Sequence, residues 1–186
     1  MRKYVGERIK ALREAQDMSL AQVCKLTGIE EARLQAYEDG TAVPAIGAVI
    51  QLSRVFGSKM AGLLHGGGTV SDALTICRSG ESHAGVQGDT EQSYAYTSLT
   101  RPGTAGHLME PFMLSFDPQA KAGVPITHDG QECVYGVDGA VELLHDGHCY
   151  RLETGDSAYL DSARPHTFHG LGERIAKVLA VVIYTN

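Results

Sequence analysis

Residues 128–139 read HDGQECVYGVDG. His128 and Glu132 stand four positions apart where a loop enters a strand-like alternation, and a second imidazole, His166, follows the turn-forming run Ser162-Ala163-Arg164-Pro165. Two imidazoles and one carboxylate hold a divalent metal on one face and leave its other positions open. Alternate residues of a strand share a face, so Glu132, Val134 and Gly136 point one way and Cys133, Tyr135 and Val137 the other. A buried Glu132 needs a metal or a hydrogen-bonded cationic partner to offset its lost hydration. The trio therefore holds a divalent metal (iron, zinc, nickel or manganese), or it lines a pocket that binds an effector directly.

Outward from this stretch, the second half of the chain reads as short strands separated by turns. SYAYTSLT (93–100) alternates, and MEPFMLSF (109–116) is strongly strand-like, with Pro111 predicting an edge or a bulge. ECVYGV (132–137) and AVELLH (140–145) are joined by Asp138-Gly139, a tight-turn signal; Asp146-Gly147 is a second, ahead of HCYRL (148–152). DSAYL (156–160), HTFHGL (166–171) and IAKVLAVVIY (175–184) complete the set. Many short strands with glycine turns predict a sandwich or barrel. Tyr94 and Tyr96 share a face and are candidates for pocket walls; Phe112, with Met109, Met113 and Phe116, supplies pocket lining or core.

The first half has a different rhythm. Val5, Ile9 and Leu12 recur at helical spacing within residues 3–16, and Ser19 is a good N-cap for a helix over 20–26 that stops at Thr27-Gly28. A third helix is predicted over 30–38, a fourth over 45–56 behind Pro44, and a short fifth over 59–64. Between the halves, HGGGT at 65–69 reads as a linker, and ALTICR at 73–78 as a short strand. The expected division is residues 1–64, a linker with an edge strand over 65–91, and residues 92–186.

At 186 residues, with 43% hydrophobic and 20% charged residues, the chain is ordinary for two globular domains. No run approaches the ~20 apolar residues that span a bilayer, and the N-terminus is charged and helix-periodic rather than signal-like. The four scattered cysteines have no CxxC spacing and read as reduced thiols of a cytoplasmic protein. Residues 1–64 hold nine Lys/Arg against seven Asp/Glu, net +2; residues 65–186 hold seven against fifteen, net −8. Only the first half suits a polyanion, and then only with its cations on one face.

The pattern S-L-A-Q-V-x-x-x-T-G-I-x-x-x-x-L-x-x-Y-E-x-G over residues 19–40 resembles the helix-turn-helix of the phage-repressor-like (XRE) regulators. The resemblance covers residues 3–64. It implies that Ala21 and Gly28 allow a close approach of helices two and three, that Leu34 anchors the recognition helix, and that residues 30–37 lie in the major groove of double-stranded DNA. Gln22, Glu31, Arg33 and Gln35 are then the base-edge or phosphate candidates, with Arg2, Lys3, Arg8, Lys10 and Arg13 as backbone contacts. Glu30-Glu31 is an unusual opening for such a helix; the two carboxylates also favour its N-terminus through the dipole.

The order H-x3-E-x6-G, with Gly139 closing it, and then Gly155 ahead of Pro165-His166, resembles the cupins, the double-stranded β-helix or jelly-roll barrels. This covers residues 92–186. The resemblance places the family's metal ligands on His128, Glu132 and His166, with Ile126 where a further histidine usually stands. The implied fold class is α+β, a five-helix domain followed by a cupin barrel. The implied function is a ligand-responsive transcription regulator that binds DNA as a homodimer or higher homo-oligomer and a small-molecule effector in its barrel. The chain also resembles an enzyme branch of the same architecture, the hydroxypropylphosphonate epoxidases, which are iron oxygenases; Tyr94-Ala-Tyr96 matches a tyrosine pair of that branch. Its substrate-binding lysine falls on Asp17 and its asparagine on Pro125, so an anionic phosphonate would meet a carboxylate. The regulator is the favoured expectation and a cupin oxygenase the alternative.

Overall fold

A computed structural model describes residues 2–58, 60–66, 74–79, 84–85, 94–100 and 108–183. The chain forms two compact units, dividing after Thr75. The first holds five helices: α1 (Arg2–Ala15), α2 (Leu20–Thr27), α3 (Glu31–Glu38), α4 (Ile46–Val55) and α5 (Met60–His65). Ser19 caps α2 reciprocally: Gln22 N–H donates to Ser19 Oγ at 3.2 Å, and Ser19 N–H donates to Gln22 Oε1 at 2.7 Å. Gly28, at φ +74°, ends the helix in the left-handed conformation, its N–H reaching Cys24 O at 2.8 Å. Val5, Ile9, Val23, Leu34, Ile50 and Leu63 form the buried centre.

Two details differ from expectation. A Cβ at Gly28 would meet nothing within 4 Å, and Ala21 is exposed, so neither serves close helix packing. That role belongs to Gly6 on α1, where an added Cβ would lie 2.1 Å from Tyr37 O. Gly6 thus lets α1 lie directly on the end of α3. The same helix pair is tied by Arg13, whose Nε and Nη2 donate to Glu38 Oε1 and Oε2 at 2.7 and 2.8 Å. Glu38 is buried, and this bond to it raises the Arg13 pKa against the lowering effect of burial.

The second unit is a pair of antiparallel sheets. The larger runs in the order β1 (Ala84–Gly85), β2 (Tyr94–Ser98), β3 (Met109–Phe116), β9 (Ala176–Ile183), β4 (Gln131–Asp138), β7 (Ser157–Asp161). The smaller runs β6 (His148–Glu153), β5 (Ala140–His145), β8 (His166–Leu171). Inward side chains alternate along each strand: Phe112, Leu114 and Phe116 from β3, Val178, Ala180 and Val182 from β9, and Val141, Leu143 and Phe168 from the smaller sheet. Phe116 meets Phe168 across the interior with ring centroids 5.8 Å apart. Each such fully buried phenylalanine contributes about 1.5–3 kcal/mol.

Three expectations about strands are corrected. Asp138-Gly139 closes no hairpin: β4 and β5 belong to different sheets, and Gly139, at φ +75°, turns the chain between them. Asp146 (φ +49°) and Gly147 (φ +81°) do make the two-residue hairpin turn, pairing His145 with His148. Pro111 lies on an inner strand rather than at an edge. Its carbonyl accepts from Leu99 N–H just past the last β2–β3 pair, Ser98 with Phe112, so the missing N–H falls where that ladder has ended. Leu74–Arg78 forms no strand, and Leu74 and Ile76 are exposed; the edge is the short β1 instead.

Candidate functional site

β4 begins at Gln131, which turns Glu132 inward at the head of the strand. His128 is held on the preceding loop by its N–H to Ser162 O at 2.9 Å, and His166 opens β8 opposite Ile126, with paired bonds of 2.9 and 3.0 Å. These anchors bring three side chains from separated parts of the sequence together. His128 Nε2 lies 2.7 Å and His166 Nε2 3.6 Å from Glu132 Oε1. The three ligand atoms fall within 4.8 Å of one another, and all three residues are buried.

The imidazoles are oriented from behind. His128 Nδ1 lies 3.1 Å from Asp129 O, and His166 Nδ1 lies 2.9 Å from Arg164 O. A carbonyl accepts only, so each Nδ1 carries the hydrogen, which leaves the Nε2 lone pair of a neutral ring aimed at the centre. Such outer hydrogen bonds fix metal-binding histidines in the required tautomer. Between Nε2 and the carboxylate there must then be a cation, either a second proton on the ring or a metal. The residues present therefore fit a divalent metal. Ser162, whose carbonyl accepts from His128 N–H, is fully buried, and its hydroxyl has no hydrogen-bond partner among the described residues. Paired residues of an antiparallel bridge share a face, so Ile126 stands next to His166 and leaves the ligand set at three.

The electrostatics agree with a tightly coupled trio. Burial pushes the Glu132 carboxyl upward, but the hydrogen bonds and charges of His128 and His166 together outweigh it and hold the pKa at about 2. Burial lowers His166, and the hydrogen bond and charge of Glu132 together with the Arg164 carbonyl outweigh it, so the net direction is upward.

Of the pocket candidates, Phe112 lies closest along the sheet. The inward row Glu110–Val182–Glu132 crosses β3, β9 and β4, and Phe112–Ala180–Val134 is the next row. Tyr96 pairs with Leu114 and Tyr94 with Phe116, two and three rows from Glu132, roughly 14 and 20 Å along the strands. The tyrosines join an aromatic cluster instead: Tyr96 meets Phe112 edge-on at 5.9 Å, and Tyr94 lies 5.4 Å from Phe116. Met109 and Met113 face outward. The sequence reading passed over Glu110, which is buried with Thr100 Oγ1 3.3 Å from its Oε2. Its signal was the same alternation that turns Phe112 and Phe116 inward.

In the helical unit, the DNA candidates divide by what they touch. Glu31, Gln22 and Gln35 are exposed; Gln22 serves the α2 cap, and Gln35 Nε2 bonds Asp39 at 3.0 Å. Arg33 is half-buried, its Nε donating to Tyr37 OH at 3.1 Å and its guanidinium 5.4 Å from that ring's centre. Two expected phosphate contacts are engaged inside the unit: Arg13 with Glu38, and Arg8, whose Nη1 donates to Leu63 O and Leu64 O at 3.0 and 2.9 Å, capping α5. Burial lowers the Arg8 pKa. Lys10 and Lys25 are exposed, while the side chains of Arg2 and Lys3 lie outside the described residues.

The helix-turn-helix domain family matches residues 5–61, and the cupin domain family matches residues 112–182. The HTH-type transcriptional regulator PuuR of Escherichia coli (strain K12) is 20% identical over 176 residues, which cover 94% of this chain and 92% of that protein. Among solved structures, an HTH_3 family transcriptional regulator from Vibrio cholerae aligns with a TM-score of 0.71 at 18% identity, over 100% of this chain and 97% of that one. Hydroxypropylphosphonic acid epoxidase from S. wedmorenis aligns at 0.51 and 22%, over 97% of each chain. At these identities the structural likenesses speak for the fold alone.

Proposed function

We propose that this chain, a helix-turn-helix protein with a C-terminal cupin domain, is a cytoplasmic DNA-binding transcription regulator whose barrel senses a small molecule. The observation that carries the reading is the presence in one chain of an α2–α3 helix-turn-helix, its α2 capped by Ser19, and a buried His128–Glu132–His166 trio in the barrel. The recognition helix is α3, and its exposed Glu31 and Gln35, with Arg33 and with Gln22 of α2, meet base edges and phosphates. Glu31 suits a cytosine amino group, which donates in the major groove. One such module covers a half-site, so the working form is a homodimer.

In the barrel, His128, Glu132 and His166 would hold a divalent metal, which would supply Lewis acidity toward an oxygen or nitrogen of the effector. The chain's own groups do the rest. Asp129 O and Arg164 O keep both rings in the metal-binding tautomer. Glu110 and Thr100 offer a polar pole on the same inward row, and Phe112 packs the apolar body next to it. The alternative, an iron oxygenase using the same trio, is favoured by the ligand set and disfavoured by Asp17 and Pro125, where that enzyme branch needs a lysine and an asparagine.

The test is metal analysis together with DNA retention. The purified chain should bind one equivalent of iron, zinc, nickel or manganese, and His128→Ala should abolish binding while leaving DNA retention at low salt intact. Loss of DNA retention by every form, with the metal site filled and an oxygen-consuming reaction present, would move the chain to the enzyme class.

A further inference from the structure

The inner face of the smaller sheet ends in a row of three histidines. Strand pairing sets His148 of β6 opposite His145 of β5, and His145 opposite His166 of β8. Directly paired residues share a face. The next row on that face is Tyr150, Leu143 and Phe168, and the one beyond is Leu152, Val141 and Gly170. On this face the imidazoles therefore gather at the end that carries the trio. Exposure grades along the row: His148 lies open on an edge strand, His145 is half-buried, and His166 is 2% exposed. Neighbouring strands lie about 4.8 Å apart, so His148 stands two strands, about 10 Å, from a residue of the buried trio, with His145 between them.

The two outer rings are set up as ligands. Asp146 and Gly147 make the hairpin tip between them, and Asp146 N–H donates to Pro165 O at 2.9 Å, which pins the tip beside His166. His145 Nε2 lies 3.1 Å from Asp161 O, and His148 Nδ1 lies 3.1 Å from Asp146 O. A carbonyl only accepts, so these nitrogens carry the hydrogens, and His145 Nδ1 and His148 Nε2 keep their lone pairs. Main-chain carbonyls back His128 and His166 in the same way. Cβ atoms of directly opposed residues lie about 4.5–5.5 Å apart. Both rings can then reach one ion at the ~2.0–2.1 Å of an imidazole–metal bond. The surroundings favour a cation: Asp146 and Asp161 are exposed beside the pair and outnumber Arg164, in a half of the chain that is net −8.

We propose that His145 and His148 form an outer site for a divalent transition metal, through which the buried trio is loaded. Two imidazoles select a late ion such as nickel, copper or zinc over magnesium or calcium, and water completes the shell. With two protein ligands against three, the outer site holds its ion more weakly than the trio, as a point of entry requires. The outer site stands on the pair alone; the loading role rests on the reading of the trio as a metal centre.

Equilibrium dialysis of the untagged, metal-free full chain against Ni2+ tests the site. The wild-type chain should hold about two equivalents, and His148→Ala and His128→Ala about one each. His145→Gln is the second variant for the outer site, since glutamine keeps an N–H for Asp161 O and lacks the lone pair at Nδ1. Mixing with limiting Ni2+, then quenching with EDTA at intervals, strips the exposed ion and counts those that have reached the trio. That count should rise at least ~10-fold more slowly in His148→Ala and reach the same end point, because local capture of a cation is what speeds its arrival. Two equivalents retained in both His148→Ala and His145→Gln would overturn the outer site, and wild-type loading rates in both would overturn its role as the entry. One equivalent in the wild-type chain, kept in His128→Ala and lost in His148→Ala, would leave the outer site standing and remove the trio as a metal centre.

Discussion

Glu132→Gln isolates the electrostatics of the candidate metal site. Glutamine keeps the shape and an acceptor oxygen but removes the charge that His128 and His166 face at 2.7 and 3.6 Å. The wild-type carboxyl is held at about 2, below its ordinary 4.5. A depressed carboxyl contributes stability above its unfolded pKa and loses it as pH falls toward the folded one. The difference corresponds to on the order of 3 kcal/mol, of which roughly 2 kcal/mol disappears between about pH 6 and about pH 3. His166 acts in the opposite direction. Its raised pKa contributes stability below the ordinary histidine value of 6.5, and this is lost as pH rises through the folded value. The wild-type stability advantage over Glu132→Gln should therefore peak between about pH 5 and about pH 6.5 and shrink on both sides. Urea unfolding in metal-free buffer, followed by the β-sheet signal, measures it. A difference that stays flat from about pH 3 to about pH 8 would refute the coupled trio. Added metal should reverse the alkaline limb, because the metal takes neutral imidazoles and competes with their protons.

Other expectations concern the helical unit. Gly6→Ala should destabilise it by about 2 kcal/mol or more in a thermal melt, since the 2.1 Å approach to Tyr37 O outweighs the ~1 kcal/mol that alanine gains in a helix. Glu38→Gln should cost about 1.5–3 kcal/mol by removing the buried carboxylate from Arg13, which keeps Glu14 and Met18 O, and Arg13→Met in the same chain should recover part of it. A double-mutant cycle with coupling near zero would show the pair to be incidental. Arg33→Ala should weaken DNA binding in a titration and flatten its salt dependence.

How much of this was legible in the sequence depends on what each signal measures. Ser19 announced the α2 cap because capping is local, while Gln22, read only as a DNA contact, closes that cap three residues on. The β4 alternation placed Glu132 inward because a strand's period is fixed by its backbone. The three metal candidates were legible through the resemblance of their spacing to the cupins, and their convergence depends on contacts between distant segments, such as His128 N–H with Ser162 O. Where a residue's role depends on a partner far along the chain, the sequence was silent or misleading. Arg13 looked like a phosphate contact until Glu38 lay beside it, and Gly28 looked like a packing glycine although Gly6 fills that role. Asp138-Gly139 and Asp146-Gly147 are the same dipeptide. Only the pairing of the flanking strands makes one a corner between sheets and the other a hairpin. Tyr94 and Tyr96 share a face, as alternation requires, but strand register sets them two and three rows from the trio.

The central claim is that α3 reads an operator in a paired chain whose barrel sets its response. Footprinting of the full chain on DNA upstream of its own gene, with and without the metal it binds, tests this most directly. The account predicts protection of two half-sites about one helical turn or a multiple apart, with an affinity that shifts on metal removal in the wild-type chain and not in Glu132→Gln. Protection without sequence preference, or a footprint unchanged by metal in both forms, would contradict it.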